Sequence, residues 1–282
     1  AQDGYDEQRC PALGTRRQRR KKVDAELTLD VAGAAVKATL RTPVRLSPHP
    51  ALLINLGGAA QAALNDQPYR IAADIFLAAG HCVASFDLPC HGSRERDYGD
   101  GLSGMATAIA AGVDVFGNIQ DTGRALINRC IDDGRINPHA VLVHGTSRGG
   151  LAAFHVAAAD RRVLAVAAQV PTTHIPVLEE FAHLDDNPIV ERANAAALIP
   201  QLAGRPLFVA IGAIDTRVSE RHCLDFCAAL RAVSTATTSL FTAPGRSHGG
   251  SDPDELRFPS ELGYQAGAAF LLQHFTESAK TD

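Results

Sequence analysis

The chain becomes periodic only after Val23. Across residues 25–40, two β-prone stretches flank Val31-Ala32-Gly33, which predicts an antiparallel hairpin. The pattern then changes. Residues 51–56 form an uninterrupted apolar run that ends at glycines, and residues 68–79 place Ile71, Ala72, Ile75, Phe76 and Ala79 at helical spacing. The alternation continues with predicted strands at 81–86, 139–144, 163–170, 206–211 and 238–242, and helices at 115–132, 148–159, 219–232 and 260–275. Strands that are apolar throughout must be covered on both faces. The pattern therefore predicts an α/β architecture: a mainly parallel central sheet, helices on both faces, right-handed crossovers, and any active site in the loops that follow strands.

One connection is longer than such a fold requires. Residues 171–204 separate two strands and carry helical patches at 177–181 and 189–198, so this segment is expected to cap the site, with Phe181, Ile189 and Leu198 as its apolar contacts. Residues 24–282 then form a single domain. Residues 1–23 are aperiodic and read as a poorly ordered basic arm. Arg16, Arg17, Arg19, Arg20, Lys21 and Lys22 put six cations in seven residues, against a net charge of −4 for the whole chain. A short basic run beside an acidic body reads as a solvated arm, and no nucleic-acid partner is expected; affinity that fell steeply with salt would be the sign of one. With 46% hydrophobic and 21% charged residues, and no apolar run near the roughly 20 residues needed to cross a bilayer, no membrane span is expected. The opening Ala1-Gln2-Asp3 suits a small-residue cleavage site, which leans toward export.

Six cysteines are too few for a disulfide scaffold in a chain of 282 residues. Cys223 and Cys227 lie four apart beside His222, but no second ligand cluster accompanies them, so they read as structural residues and no metal is implied.

The chemistry concentrates at Gly145-Thr146-Ser147-Arg148-Gly149-Gly150, which follows a predicted strand and runs into a predicted helix. In such a turn the serine is held strained with its hydroxyl exposed; a glycine-rich phosphate loop is the alternative reading. A serine needs a base, and among eleven histidines His248 is best placed, in the glycine-rich loop after the last predicted strand. The base needs a carboxylate to fix its tautomer. Asp215, just past another strand, lies 68 residues after Ser147 and 33 before His248, and is read as that acid, with a cap on the helix that follows as the alternative. The backbone N–H groups of Arg148 and Gly58 are the candidate oxyanion donors, with Ala59 close behind Gly58. The Arg148 side chain suits either a substrate carboxylate or a neighbouring acid. His91 and His144 also lie near strand ends and read as structural.

Together these residues resemble the α/β-hydrolase superfamily over about residues 52–275. The segment Asp87-Leu88-Pro89-Cys90-His91-Gly92-Ser93 resembles the stretch after that family's fourth strand. Ser147-Arg148-Gly149-Gly150 and the helix containing residues 118–126 look most like the dienelactone-hydrolase and prolyl-oligopeptidase branch. The chain departs from both. Dienelactone hydrolases use a cysteine where Ser147 stands, the region before Leu52 is too short for the oligopeptidases' propeller, and Leu56 stands where a histidine usually precedes the paired glycines.

The resemblance implies a serine hydrolase acting on a small-molecule ester, without cofactor. A peptidase or amidase is the alternative, and a non-catalytic binding protein on the same scaffold is the third reading. Because the arm lacks apolar periodicity, deleting residues 1–22 should leave kcat/KM on a small ester within about tenfold of the full chain; a larger loss would implicate the arm in catalysis.

Overall fold

The computed structural model describes residues 23–95, 98–248 and 261–278. The basic arm and Cys10 lie outside them. Eight strands form one sheet in the order β1-β2-β4-β3-β5-β6-β7-β8. The first two are the expected hairpin, β1 (Val23–Val31) and β2 (Ala34–Thr42), paired in register from Val23 opposite Thr42 to Val31 opposite Ala34. Ala32 and Gly33 both have positive φ, the conformation that two-residue hairpin turns need, and Gly33 N–H donates to Asp30. Burial in β1 alternates because one face meets water: Leu27, Leu29 and Val31 turn inward.

The other six strands are β3 (Leu52–Leu56), β4 (Cys82–Phe86), β5 (Val141–Thr146), β6 (Val163–Gln169), β7 (Leu207–Gly212) and β8 (Thr238–Ala243). They pair in parallel with one another, while β4 also takes β2 antiparallel. β3, β4, β5 and β7 are buried at every residue, the polar Asn55, Ser85, His144 and Thr146 included, as strands covered on both faces require.

Nine helices connect or flank the strands among the described residues: α1 (Ala60–Asn65), α2 (Ile71–Ala78), α3 (Gly101–Ala110), α4 (Val115–Asp132), α5 (Arg148–Ala159), α6 (Pro188–Ala193), α7 (Ile199–Leu202), α8 (Glu220–Val233) and α9 (Glu261–Ser278). α2 packs with α9, and α4 with α5, against the sheet. Among the described residues no single helix is long and apolar enough to cross a membrane.

The differences from the sequence reading have local causes. β5 runs to Thr146, past the expected end at residue 144, because Gly145 and Thr146 continue the parallel pairing with Ala168 and Gln169. α2 starts at Ile71, after residues 68–70. α1 and α3 were not expected at all. The first is only six residues long, and the second is built of alanine, glycine, serine and threonine with few large apolar residues to mark a face. Arg41, buried between the hairpin and α1, donates to both Asp24 oxygens at 2.7 Å and to the Leu64 carbonyl at 2.7 Å, so it ties the hairpin to the loop region after β3.

Two histidines are sealed in this core. His144 on β5 is fully buried, and burial lowers its pKa to about 3. His155 on α5 stacks on Phe116 and has its Nε2 2.9 Å from the Ala193 carbonyl; burial lowers its pKa to about 4, with that hydrogen bond opposing. Both folded pKa values lie below the unfolded value, so as pH falls the unfolded chain takes up these protons first, and stability is lost below about pH 6.5. Between about pH 7.5 and about pH 5 each histidine should cost ~2 kcal/mol of unfolding free energy. Urea unfolding at the two pH values checks this; a drop of less than about 1 kcal/mol would contradict the burial of both rings.

Candidate active site

β5 ends at Thr146 and α5 begins at Arg148, which leaves Ser147 alone in the turn at φ 57° and ψ −119°. A non-glycine residue held there costs about 1–3 kcal/mol, so its surroundings must fix it. Ser147 N–H donates to the Gln169 carbonyl at 2.8 Å, and its own carbonyl accepts from Gly150 N–H at 2.9 Å and Thr172 N–H at 3.3 Å. Two glycines make the turn fit. A methyl on Gly145 would overlap the Gly149 carbonyl, and one on Gly149 would overlap the Leu56 carbonyl. The motif's glycines therefore let α5 sit directly against the loop after β3.

The structure brings the three distant candidates together. Ser147 Oγ lies 3.0 Å from His248 Nε2, and His248 Nδ1 lies 2.9 Å from Asp215 Oδ2. The Asp215 side chain is 0% exposed and that of His248 19%, so the carboxylate is sealed while the imidazole meets the cleft. Asp215 follows β7, and its other oxygen accepts the backbone N–H groups of Arg217 and Val218 at 3.0 and 3.1 Å. It thus closes its own turn. The helix cap that Asp215 could have provided belongs instead to Ser219, whose hydroxyl accepts from His222 N–H. The loop carrying His248 is pinned where Ile214 N–H donates to the Arg246 carbonyl at 3.0 Å, over a glycine, Gly212, whose Cβ would collide with that carbonyl.

Gly58 lies in the loop between β3 and α1. Its carbonyl accepts from Leu88 N–H at 3.0 Å, while Ala60 N–H donates to Asp87 Oδ1 at 2.7 Å. Those bonds leave the Gly58 N–H, and the Arg148 N–H at the start of α5, with no protein acceptor among the described residues. A methyl on Gly58 would meet the His91 ring, which fills the space behind the loop.

His91 has its Nδ1 2.9 Å from the Pro89 carbonyl and its Nε2 2.7 Å from Arg148 Nη1. Since the guanidinium can only donate, Nε2 must accept and Nδ1 carries the proton. Burial lowers the His91 pKa, and the neighbouring Arg148 charge adds to the effect. Neither His91 nor His144 hydrogen-bonds to Ser147. His144 Nδ1 instead pairs with Asn55 Oδ1 at 2.7 Å. Of the two partners the sequence left open for Arg148, no neighbouring acid forms an ion pair with it among the described residues; its hydrogen-bond partner is His91, 57 positions away, a contact that no local pattern announces.

A narrow pocket opens beside the turn, lined by Leu102, Met105, Phe116, Leu151, Leu178 and Phe181 among others, with Arg148 and Thr172 as its polar members. Residues 171–204 fold as short helical turns and small helices. Of the three contacts expected there, Phe181 lines the pocket. Leu198 is buried in the turn at Ala195–Leu198, which packs on α5, and Ile189 is half-buried against the core. Thr172, Ile175 and Leu178 supply the remaining lining from this segment. Arg217 ties it to the Asp215 loop through Glu180, with Nη2 2.6 and 2.8 Å from the two carboxylate oxygens. Burial works to raise the Glu180 pKa, but Arg217 outweighs it and leaves the carboxylate below its ordinary value.

A larger groove of about 580 Å³ lies against the hairpin and includes none of Ser147, Asp215 or His248. The five described cysteines are free and buried, and burial pushes Cys227 up to about 11. His222 lies against His174 with ring centroids 4.5 Å apart and the ring planes tilted by 32°. Among the described residues no group of three or more histidine, cysteine and acidic side chains could hold a metal.

No family model and no curated protein matches the chain. Solved structures do. A puromycin hydrolase superposes with a TM-score of 0.68 at 14% identity over 90% of this chain and 40% of its own. One of two prolyl endopeptidases superposes at 0.65 and 18% identity over 90% of this chain and 39% of its own. The chain thus spans about two fifths of the length of these peptidases. A cold-adapted esterase from an Arctic intertidal metagenomic library matches at 0.67 and 17% identity, over 93% of this chain and 97% of its own. The sheet order, the antiparallel hairpin at its edge and these superpositions agree: the chain has the α/β-hydrolase fold.

Proposed function

We propose that the chain is a serine hydrolase that cleaves carboxylic esters through an acyl-enzyme on Ser147. The observation that carries this reading is the continuous pair of hydrogen bonds from Ser147 Oγ to His248 and from His248 to Asp215. With the proton on Nδ1 facing Asp215, His248 Nε2 accepts the Ser147 hydroxyl proton as Oγ attacks the ester carbonyl carbon. Asp215 steadies the imidazolium that forms. The carbonyl oxygen becomes an oxyanion, which the N–H groups of Arg148 and Gly58 stabilise, each worth roughly 3 kcal/mol of barrier. The intermediate then collapses, the C–O bond to the alcohol breaks, and His248 returns its proton to the departing oxygen. Water enters, loses a proton to Nε2 and attacks the acyl carbon; Ser147 leaves with that proton, and the acid is released.

Support for ester over amide comes from the esterase, which superposes over nearly its whole length. Amide cleavage is the second reading, favoured by the two peptidases and distinguished by offering matched ester and anilide substrates.

Ser147→Ala and His248→Ala should each remove nearly all turnover of an activated ester, and the double variant should be little worse, because the two act as one unit. Asp215→Asn should lower kcat on the order of 10⁴, the size of the same change in the well-studied serine-protease triad. Circular dichroism on the same samples should show all three folded. A folded Ser147→Ala that keeps more than about a tenth of wild-type kcat would overturn the mechanism.

The cap makes a separate prediction. Phe181→Ala should widen the pocket and shift preference across p-nitrophenyl esters toward longer acyl chains by about tenfold or more in relative kcat/KM. An unchanged profile from a folded variant would place the acyl group elsewhere.

A further inference from the structure

The face of the sheet that α9 covers carries polar side chains just where the strands approach Ser147. Register sets Asn55 of β3 beside His144 of β5, and Thr146 of β5 beside Gln169 of β6. His144 and Thr146 are two apart and therefore share a face, so the four stand on the last two rungs of that face before Ser147. Each is at most 5% exposed. Burying such groups costs free energy that only well-made hydrogen bonds offset, so their partners show what the layer holds in place.

Two of those partners belong to α9. Tyr264, itself 0% exposed, has its hydroxyl 3.1 Å from Thr146 Oγ1 and its ring against His144, with centroids 5.6 Å apart. The neighbouring Gly263 carbonyl accepts from Gln169 Nε2 at 3.1 Å, and Gly267 leaves room for that amide, since a methyl there would overlap it. Burial raises the Tyr264 pKa well above its ordinary value, with the Thr146 bond opposing. The phenol therefore stays neutral and is no rival base for Ser147.

These contacts hold the nucleophile from two sides. Thr146 is joined to Ser147 through the chain, and the Gln169 carbonyl accepts the Ser147 N–H at 2.8 Å, one of the bonds that keep the serine at positive φ. A shift of Thr146 turns the Ser147 backbone and carries Oγ away from His248 Nε2, 3.0 Å distant. Resting on the acyl-enzyme reading of Ser147, we propose that Tyr264 is a positioning residue: through Thr146 it fixes the rotation of the Ser147 turn, from within the core and without reaching the substrate.

Tyr264→Phe and Thr146→Val remove one hydroxyl each and keep the packing. Each should lower kcat on an activated ester by about tenfold or more at nearly unchanged KM, since a misplacement of about 1 Å can cost about 10²-fold. The double variant should be little worse than either, because both changes break one bond. Thr146→Ser keeps the hydroxyl and should lose less than Thr146→Val. Rates are compared at a temperature where circular dichroism shows every variant folded. A residue that only stabilised the core would lower Tm and leave kcat alone. A kcat within about twofold of wild type in folded Tyr264→Phe, losses that multiply in the double variant, or equal losses in Thr146→Ser and Thr146→Val overturn the proposal. Should Tyr264→Phe fail to fold, the Thr146 pair decides it.

The rate at which a fluorophosphonate labels Ser147 separates this role from the hydrolase reading. If the wild type is labelled but hydrolyses no ester or anilide, the hydrolase reading falls; slower labelling of Tyr264→Phe then still supports the positioning role, and an unchanged rate removes it. A folded wild type that is not labelled at all removes both.

Discussion

Everything at this site depends on one close backbone approach. Gly149, in the first turn of α5, rests on the carbonyl of Leu56 at the end of β3 with no room for a methyl between them. Ser147 stands at positive φ at the tip of β5, and the contact sets the first turn of α5, with the Arg148 N–H, against Leu56 and Gly57 where the Gly58 loop begins. Any larger residue at Gly145 or Gly149 would push backbone against backbone, and no rotamer change could relieve it. The strain at Ser147 is borne by hydrogen bonds to Gln169, Gly150 and Thr172, which belong to elements already packed in the core.

From that turn outward, each partner arrives on the end of a different strand. Asp87 after β4 anchors Ala60 and the turn at Ser93, Thr172 follows β6, Asp215 follows β7 and His248 follows β8. Parallel strands place all of these at the carboxyl ends of the strands, so residues up to 101 positions apart meet within hydrogen-bond distance. The burial of His144 beneath the turn fits the same design. Held neutral by a dry environment and paired with Asn55, it fills the sheet under Ser147 without competing for the serine's proton.

Most of the framework was legible because parallel strands and long amphipathic helices leave strong periodic signals. The hairpin, the central strands, α4 and α5 follow directly from where apolar residues recur. α3 was not legible, since its alanines and glycines, set among serine and threonine, pack by lack of bulk and leave no apolar stripe. The small helices of residues 171–204 were legible only as an over-long connection, because they are too short for their period to register. At the site, Ser147, Asp215 and His248 were readable from turn chemistry and chain order. The link from His91 to Arg148 and the clamp of Arg217 on Glu180 were not, because each depends on which side chains meet beyond the ends of different strands, and nothing in their local sequence distinguishes them from surface polar residues.

On the proposed mechanism, the geometry around Ser147 makes its hydroxyl a nucleophile in the folded protein and in no other state. Covalent labelling with a fluorophosphonate probe, located by peptide mapping, tests this most directly. A single phosphonylated residue, Ser147, is expected in the folded chain, with labelling abolished by prior denaturation and strongly slowed in His248→Ala. Labelling elsewhere with Ser147 left free, or no labelling of the folded protein, would contradict it.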